Sequence, residues 1–394
     1  MFIDLNQRFP DRTAIWSQLH DLQQKKLWYQ FTVLLNEVLS QSFLSEFDAA
    51  ILVYNTFIKP NEAHLSPHSV ANMLVSISRR ASEPTESFNF LIPYVHILRP
   101  HPVPYCVILL HLAHLQLLRS VQPSPMESSE SPQDEISTKN TEDLIAMATE
   151  VIDKEGLATL PENNHVMAKL YQVKAEMNRN KDYSGFVTNM FEYLAYVDDP
   201  SRDYPAISDL ALDIVVSGLC SPDVYNISDI VGNPIVEHLE SGEVKRLLDV
   251  FNGGDVKGFQ TLCDEKVLSV DVRLGNSSKV LEEKIKILGI MEVAFSKPIN
   301  DRQLKFSEIC TRCSIPENDA EYLLIRVMSL GLIRGKINSV NKEVGIEFVQ
   351  PRALGPSQVE TLATHLRKWL TTVENAHQLA QSRGQLPEEM VGEV

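Results

Sequence analysis

Between Leu281 and Arg352 the order of apolar periods and chain breakers leaves few folds open. Leu281, Ile285, Leu288, Met291 and Phe295 recur at steps of three and four, the spacing that lines one helical face. Pro298 and Asp301 mark a break, and a short second helix follows around Ser307 to Cys313. Pro316 then stands where the first turn of a third helix needs no donor. Glu317, Asp319 and Glu321 load that start with negative charge, and Ala320, Leu323, Leu324, Val327, Met328 and Leu330 form the buried stripe. Gly331 can take the left-handed geometry that ends the helix. Leu332 to Ile337 reads as a strand and Asn338 to Glu343 as a polar turn. Val344, Ile346 and Phe348 alternate with Gly345, Glu347 and Val349 as a half-buried second strand. Three helices closed by this two-stranded wing make a winged helix.

Such a module often reads DNA through its third helix. Charge argues against that here. From Glu282 to Arg352 there are 11 Lys and Arg against 10 Asp and Glu, and the would-be reading helix begins with acids, which repel phosphate. The whole chain points the same way: 36 basic against 52 acidic residues give a net charge of −16 and a pI near 5.2, which excludes nucleic acid and anionic membrane as main partners. With 394 residues, 44% hydrophobic and 22% charged, the chain is long enough for two or three soluble globular domains.

No signal peptide is visible in Met1 to Pro10, and the longest apolar run, Val107 to Leu118, contains His111 and His114 and falls short of a bilayer span, so a core helix is expected there. Five cysteines, Cys106, Cys220, Cys263, Cys310 and Cys313, suit reduced thiols in the cytoplasm or nucleus. Cys310 and Cys313 form a C-x-x-C, but no second pair completes a zinc site and no strand precedes it as in a redox motif; two small residues on a short helix is the better reading. His111 with His114, and His64 with His68, lack an acidic third ligand and read as core or capping residues. Phosphate-loop, dinucleotide, metalloprotease and nucleophile-elbow motifs are all absent, as is the H-x-H with a distant Asp of metal-dependent deubiquitinases. No catalytic, cofactor-binding or metal-binding residue is assigned, no cofactor is expected, and the chain reads as no enzyme.

From Thr13 to about Leu268 the sequence gives one short helical pattern after another. Trp16, Leu19, Leu22 and Leu27 make the first, Phe31, Leu34, Leu35, Val38 and Leu39 the next, and Ala49 to Ile58 and Val70 to Ile77 continue them. Lys59-Pro60-Asn61, Ser66-Pro67, Glu83-Pro84 and Arg99-Pro100 punctuate the series. Helices continue through His165 to Asn178, Tyr183 to Val197 and Ile207 to Leu219, and Gly253 and Gly254 permit a tight turn before Phe259 and Leu262 face the core. Successive helices with short breaks suggest antiparallel pairs stacked into a solenoid. Ser120 to Thr141 interrupts it with three prolines, six serines and several acids, a composition expected to form a disordered loop, and Ser124-Pro125 and Ser131-Pro132 fit proline-directed kinases. In the tail, Val359, Leu362, Leu366, Trp369, Val373, Ala376 and Ala380 keep coiled-coil spacing behind a capping box at Ser357 and Glu360, which points to an intermolecular helix bundle.

The expected fold class is therefore mainly α, a helical-repeat solenoid running into a winged-helix module with a long C-terminal helix. Lys181 to Phe186, Val250 to Asp255 with Phe259 to Leu262, Asn300 to Leu304 and Phe348 to Arg352 resemble the PCI-domain subunits of the 26S proteasome regulatory-particle lid, a likeness that is strongest from Lys181 to Trp369. The resemblance implies a repeat region over 1–170, a PCI domain over 171–352 whose winged helix begins at 281, and a bundle helix with its tail over 353–394. It also implies a noncatalytic scaffold whose partners are other lid PCI subunits through the winged helix, the lid helical bundle through the C-terminal helix, and a ubiquitin-receptor subunit, with no nucleic acid and no membrane. Val344 to Val349 is expected as an exposed strand that extends a neighbour's sheet. The same architecture fits a PCI subunit of the COP9 signalosome or of a translation initiation factor, and a winged-helix transcription factor is the third alternative.

Overall fold

The computed structural model describes residues 9, 12–40, 46–121, 140–197, 199–204, 206–297, 302–350 and 356–384. It divides into two compact units, Met1–Asp203 and Tyr204–Val394. The serine-rich stretch 122–139 lies outside the described residues, as do Asn300, Asp301, Pro351 and Arg352.

The first unit is a run of α-helices: α1 (Thr13–Gln24), α2 (Trp28–Ser40), α3 (Phe47–Val53), α4 (Pro67–Ser78), α5 (Pro84–Leu98), α6 (Pro102–Val121), α7 (Thr141–Glu155), α8 (Asn164–Asn178) and α9 (Tyr183–Tyr196). Three of them start on a proline, where the missing N–H would have had no intrahelical acceptor. Ser66 caps α4 by accepting from the Ser69 amide at 3.2 Å, and Gly156 ends α7 in left-handed geometry. A π-helical turn, Tyr54–Ile58, extends α3 and brings Phe57 onto Trp16, ring centroids 6.1 Å apart. Leu27, expected on the first apolar stripe, is instead exposed, because α1 ends at Gln24 and Leu27 falls in the turn.

Helix α6 is the hub. It packs on α4, α5, α7 and α8, and α8 packs on α9, so each new helix joins the ones before it in a repeat-like layer. By length and composition α6 would cross a bilayer, but Cys106, Ile108, Leu109, Leu110, Leu112 and Ala113 are fully buried within the unit, as a core helix requires.

The second unit opens with α10 (Ile207–Cys220), α11 (Ile227–Val231), α12 (Gly242–Gly253), α13 (Val256–Asp264), α14 (Val272–Asn276) and α15 (Ser278–Ser296). The winged helix follows: β1 (Gln303–Lys305), α16 (Phe306–Cys313), α17 (Glu317–Ser329), β2 (Ile333–Asn338) and β3 (Glu343–Val349). A last helix, α18, runs from Pro356 to Gly384. Leu281, Ile285, Leu288, Leu304, Leu324 and Val344 are among the residues that fill its core. Gly331, at φ +73°, ends the α17 segment as expected. Met328 and Leu330 are only half-buried, and Phe295, at the end of α15, is exposed.

The structure corrects three expectations, two in the wing and one in the tail. The sheet has three antiparallel strands in the order β1-β3-β2, so β3 is central, paired with β2 along its length and with β1 over Glu343 to Gly345, and the outer strands are β1 and β2. Val344 to Val349 is therefore not the exposed edge strand expected. A register shift opposite Arg334 and Gly335 inserts one residue into β3, which reverses the alternation beyond Ile346. Phe348 consequently points outward, with the Arg334 guanidinium 5.3 Å above its ring, and Val349 is buried in its place. The third correction concerns the tail: α18 begins at Pro356, so Ser357 lies inside the first turn and cannot be the N-cap.

Candidate functional site

Within the second unit, α15 joins the helical region to the winged helix, and two contacts hold it. Lys284 lies one turn after Leu281 and one turn before Leu288, so helical periodicity turns a lysine into the core. Its ammonium donates to the carbonyls of Gly218, Leu219 and Ser221 at 2.7, 3.2 and 2.9 Å. These are the last acceptors of α10, whose partners a helix end lacks and whose dipole favours a cation. Burial pushes the Lys284 pKa down to about 7, against the pull of three acceptors that suit the three hydrogens of the charged form.

The second contact explains the Val250 to Asp255 motif. Gly254 is left-handed, with φ +60°, and the amide of Asp255 donates to Val250 across the end of α12. A Cβ at Gly254 would lie 2.8 Å from the Leu288 carbonyl oxygen, and one at Gly289 would lie 3.3 Å from the Gly254 carbonyl. Backbone therefore meets backbone, which only glycines allow. Gly253, read as its partner in the turn, is still helical and has open space around it.

On the winged helix two of the acids of α17, Glu317 and Glu321, are engaged by the wing. Glu317 pairs with Lys342 at 3.0 Å, and the Ser339 hydroxyl donates to Glu321. What α17 shows outward is Tyr322 and Ile325, both exposed, beside an Arg326–Glu283 pair at 3.2 Å. An apolar and aromatic face of this kind suits a protein surface better than a phosphate backbone. The tail presents more: every described side chain from Leu366 to Leu379 is exposed, Trp369 by 67%, together with Leu370 and Val373. Burying such a stripe requires a partner of matching apolar character.

The motif Lys181 to Phe186 starts α9. Asp182 accepts from the Ser184 amide at 3.0 Å, Gly185 keeps clear the space that this carboxylate occupies, and Phe186 is buried. Leu304 enters the core from β1, and the Gln350 amide donates to Leu332 at 2.8 Å beside the wing.

The histidines and cysteines fall in packing roles. The Ser78 hydroxyl lies 2.8 Å from the Val75 carbonyl and 2.9 Å from Nε2 of His111, so it ties the ring to the end of α4. His64 stacks on Trp28 and His68 meets His165 edge-on. Cys313 donates to the Lys286 carbonyl at 3.5 Å, and burial pushes its pKa up to about 11, so it stays a thiol at neutral pH. Among the described residues no three His, Cys, Asp or Glu side chains are arranged to hold a metal.

Burial holds the His111 pKa well below its usual value and lowers that of His114 to about 3, with Lys169 and Arg79 adding repulsion. The unfolded chain protonates both near pH 6.5, so below that pH it binds protons that the folded chain refuses. Stability should therefore fall on acidification from pH 6.5 towards 3, by up to about 1.4 kcal/mol per pH unit for each histidine. Urea midpoints between pH 7 and 4.5 would measure this slope, and His114→Gln should flatten it; an unchanged slope in that variant would show that His114 titrates normally in the folded chain.

A family model described as PSD13 N-terminal repeats matches residues 15–251, and one described as PCI domain matches residues 259–347. The chain is 29% identical to 26S proteasome non-ATPase regulatory subunit 13 homolog B of Arabidopsis thaliana, over 92% of each chain. It is 26% identical to 26S proteasome non-ATPase regulatory subunit 13 of Dictyostelium discoideum, over 94% of each. A shorter match, 25% identical over 42% of this chain and 36% of the other, is to eukaryotic translation initiation factor 3 subunit M of Coccidioides immitis.

Proposed function

Because the chain belongs to the family of 26S proteasome non-ATPase regulatory subunit 13, with its repeats and its PCI domain, we propose that it is a noncatalytic scaffold subunit of the proteasome lid. The observation that carries the scaffold reading is the apolar stripe of α18, on which Leu366, Trp369, Leu370 and Val373 are all exposed. Partner helices in the lid bundle cover that stripe, and the winged helix meets other PCI subunits through the outer strands β1 and β2 and the Tyr322–Ile325 face. The repeat unit offers further surface to regulatory-particle subunits, a ubiquitin receptor among them. The protein works in the cytoplasm and nucleus, and the degradation of ubiquitinated substrates depends on it through assembly, with chemistry supplied by its neighbours.

Two measurements test this. Affinity purification of the full chain should recover the lid subunits, and recovery of a complex without any proteasome component would refute the assignment. Deleting residues 358–394 should leave the thermal transition of the remaining chain in place while abolishing incorporation into the lid; normal incorporation of that truncation would remove the bundle role. The partial match to an initiation-factor subunit supports one other reading, a PCI scaffold in a translation initiation complex, and the same purification separates the two.

A further inference from the structure

Along its middle turns α18 shows every face to solvent: from Leu366 to Gln378 each side chain is exposed, so none of them is used in packing against the rest of its own unit. Heptad positions sort these residues. With Leu366 and Val373 at a, and Trp369 and Ala376 at d, Leu370 falls at the flanking position e, while Arg367, Lys368 and Glu374 fall at the outer positions b and c. One seam therefore collects the large apolar side chains, and no charge enters it.

That seam matches itself when a second copy lies antiparallel. Each a residue then faces a d residue of the other helix. With the two-fold axis at Thr371, Leu366 meets Ala376 of the second copy and Trp369 meets its Val373, and each pair is made twice. Every layer sets a larger side chain against a smaller one, and Leu370 meets its own copy beside the axis. A parallel pair would instead put Trp369 against Trp369 and Ala376 against Ala376, one layer overfilled and another with a void. Charge permits the pairing as well. The whole chain, with 36 basic and 52 acidic residues, repels its copies, but Pro356–Gly384 carries three Lys and Arg against two Asp and Glu and is close to neutral.

We propose that the free chain is an antiparallel homodimer joined through α18, in which each copy covers the apolar stripe of the other. The pairing stands on α18 alone and does not depend on which complex the chain enters. On the lid reading above, the dimer and the helix bundle compete for one surface, so the copies part before a subunit is incorporated.

Sedimentation equilibrium of the full chain at physiological salt tests this between about 1 and 100 µM, where a pair with a Kd of about 10 µM raises the mass from 44.5 kDa towards twice that value. Leu370→Glu should weaken the pair about tenfold or more, because it sets two carboxylates together at the axis. Leu370 is exposed in the single chain, so the circular dichroism of this variant should stay that of the wild type. Thr371→Glu, one residue on and on the outer face, should leave the dimer intact. The direction is read by cysteines. Leu366→Cys and Ala376→Cys in one chain should give a covalent dimer under mild oxidation, since positions ten residues apart lie about 15 Å from each other along a helix and cannot join within it. Either substitution alone should link no more than the wild type with its five cysteines. The proposal is overturned if the chain stays a monomer at about 100 µM, if the dimer survives Leu370→Glu or is lost equally in Thr371→Glu, or if the double cysteine variant links no better than the single ones.

Discussion

Replacing Lys284 with methionine should destabilise the second unit by about 3 kcal/mol or more, seen as a lower urea midpoint for the full chain with little change of slope. Methionine keeps most of the volume, so no large cavity confuses the result. What it removes is the ammonium that satisfies Gly218, Leu219 and Ser221. Each carbonyl left buried without a donor costs about 1 to 3 kcal/mol, although water entering the site would recover part of that. Hydrogen exchange gives the location: amides in the last turn of α10 should lose protection first, because their helix end has lost its cap. If the variant unfolds at the wild-type midpoint, the three carbonyls are solvated in solution and Lys284 is not the clasp described.

Gly254→Ala should cost about 3 kcal/mol, and two other glycines separate its causes. Part of the cost is the left-handed backbone, about 1 kcal/mol for an L-residue. Gly156→Ala measures that part alone, since Gly156 has φ +63° and nothing within 4 Å of its Cβ position. The remainder is collision: the new methyl would meet the Leu288 carbonyl oxygen at 2.8 Å and the Gly289 Cα at 3.1 Å, and both are main chain of α15. Neither can turn aside as a side chain would. Gly253→Ala, helical and open, should be neutral or stabilising by up to about 1 kcal/mol. Thermal midpoints of the three variants should fall in the order Gly253, Gly156, Gly254. A cost at Gly254 no larger than at Gly156 would show that the corner of α12 does not press on α15.

The strongly periodic parts of the second unit are legible in the sequence itself. Ala320, Leu323, Leu324 and Val327 line the inner face of α17, Pro316 precedes it, and Gly331 closes its segment, because spacing and breakers act within a few residues. The strand β1 was missed, since three residues are too few to show a period and its partner lies about forty residues away. Phe348 was placed inside because alternation is read along one strand, whereas a bulge is a relation between two. Lys284 is the instructive omission. Its spacing from Leu281 and Leu288 already put it on the buried face, but a lysine in that register reads as noise until an acceptor is found 63 to 66 residues earlier. The docking surfaces were partly visible: the tail stripe followed from heptad spacing, while the Tyr322–Ile325 face became meaningful once Glu317 and Glu321 were seen tied to the wing.

The length of α18 has a geometric consequence. Its 29 residues span about 44 Å at 1.5 Å each, a lever longer than a small domain is wide. A tilt of about 7° at its base displaces the far end by roughly one helical pitch, 5.4 Å, enough to carry a side chain past the hole meant for it on a neighbouring helix. Angular tolerance therefore tightens with distance from the wing, and the early turns around Leu366 and Trp369 can engage before the later ones have found their register.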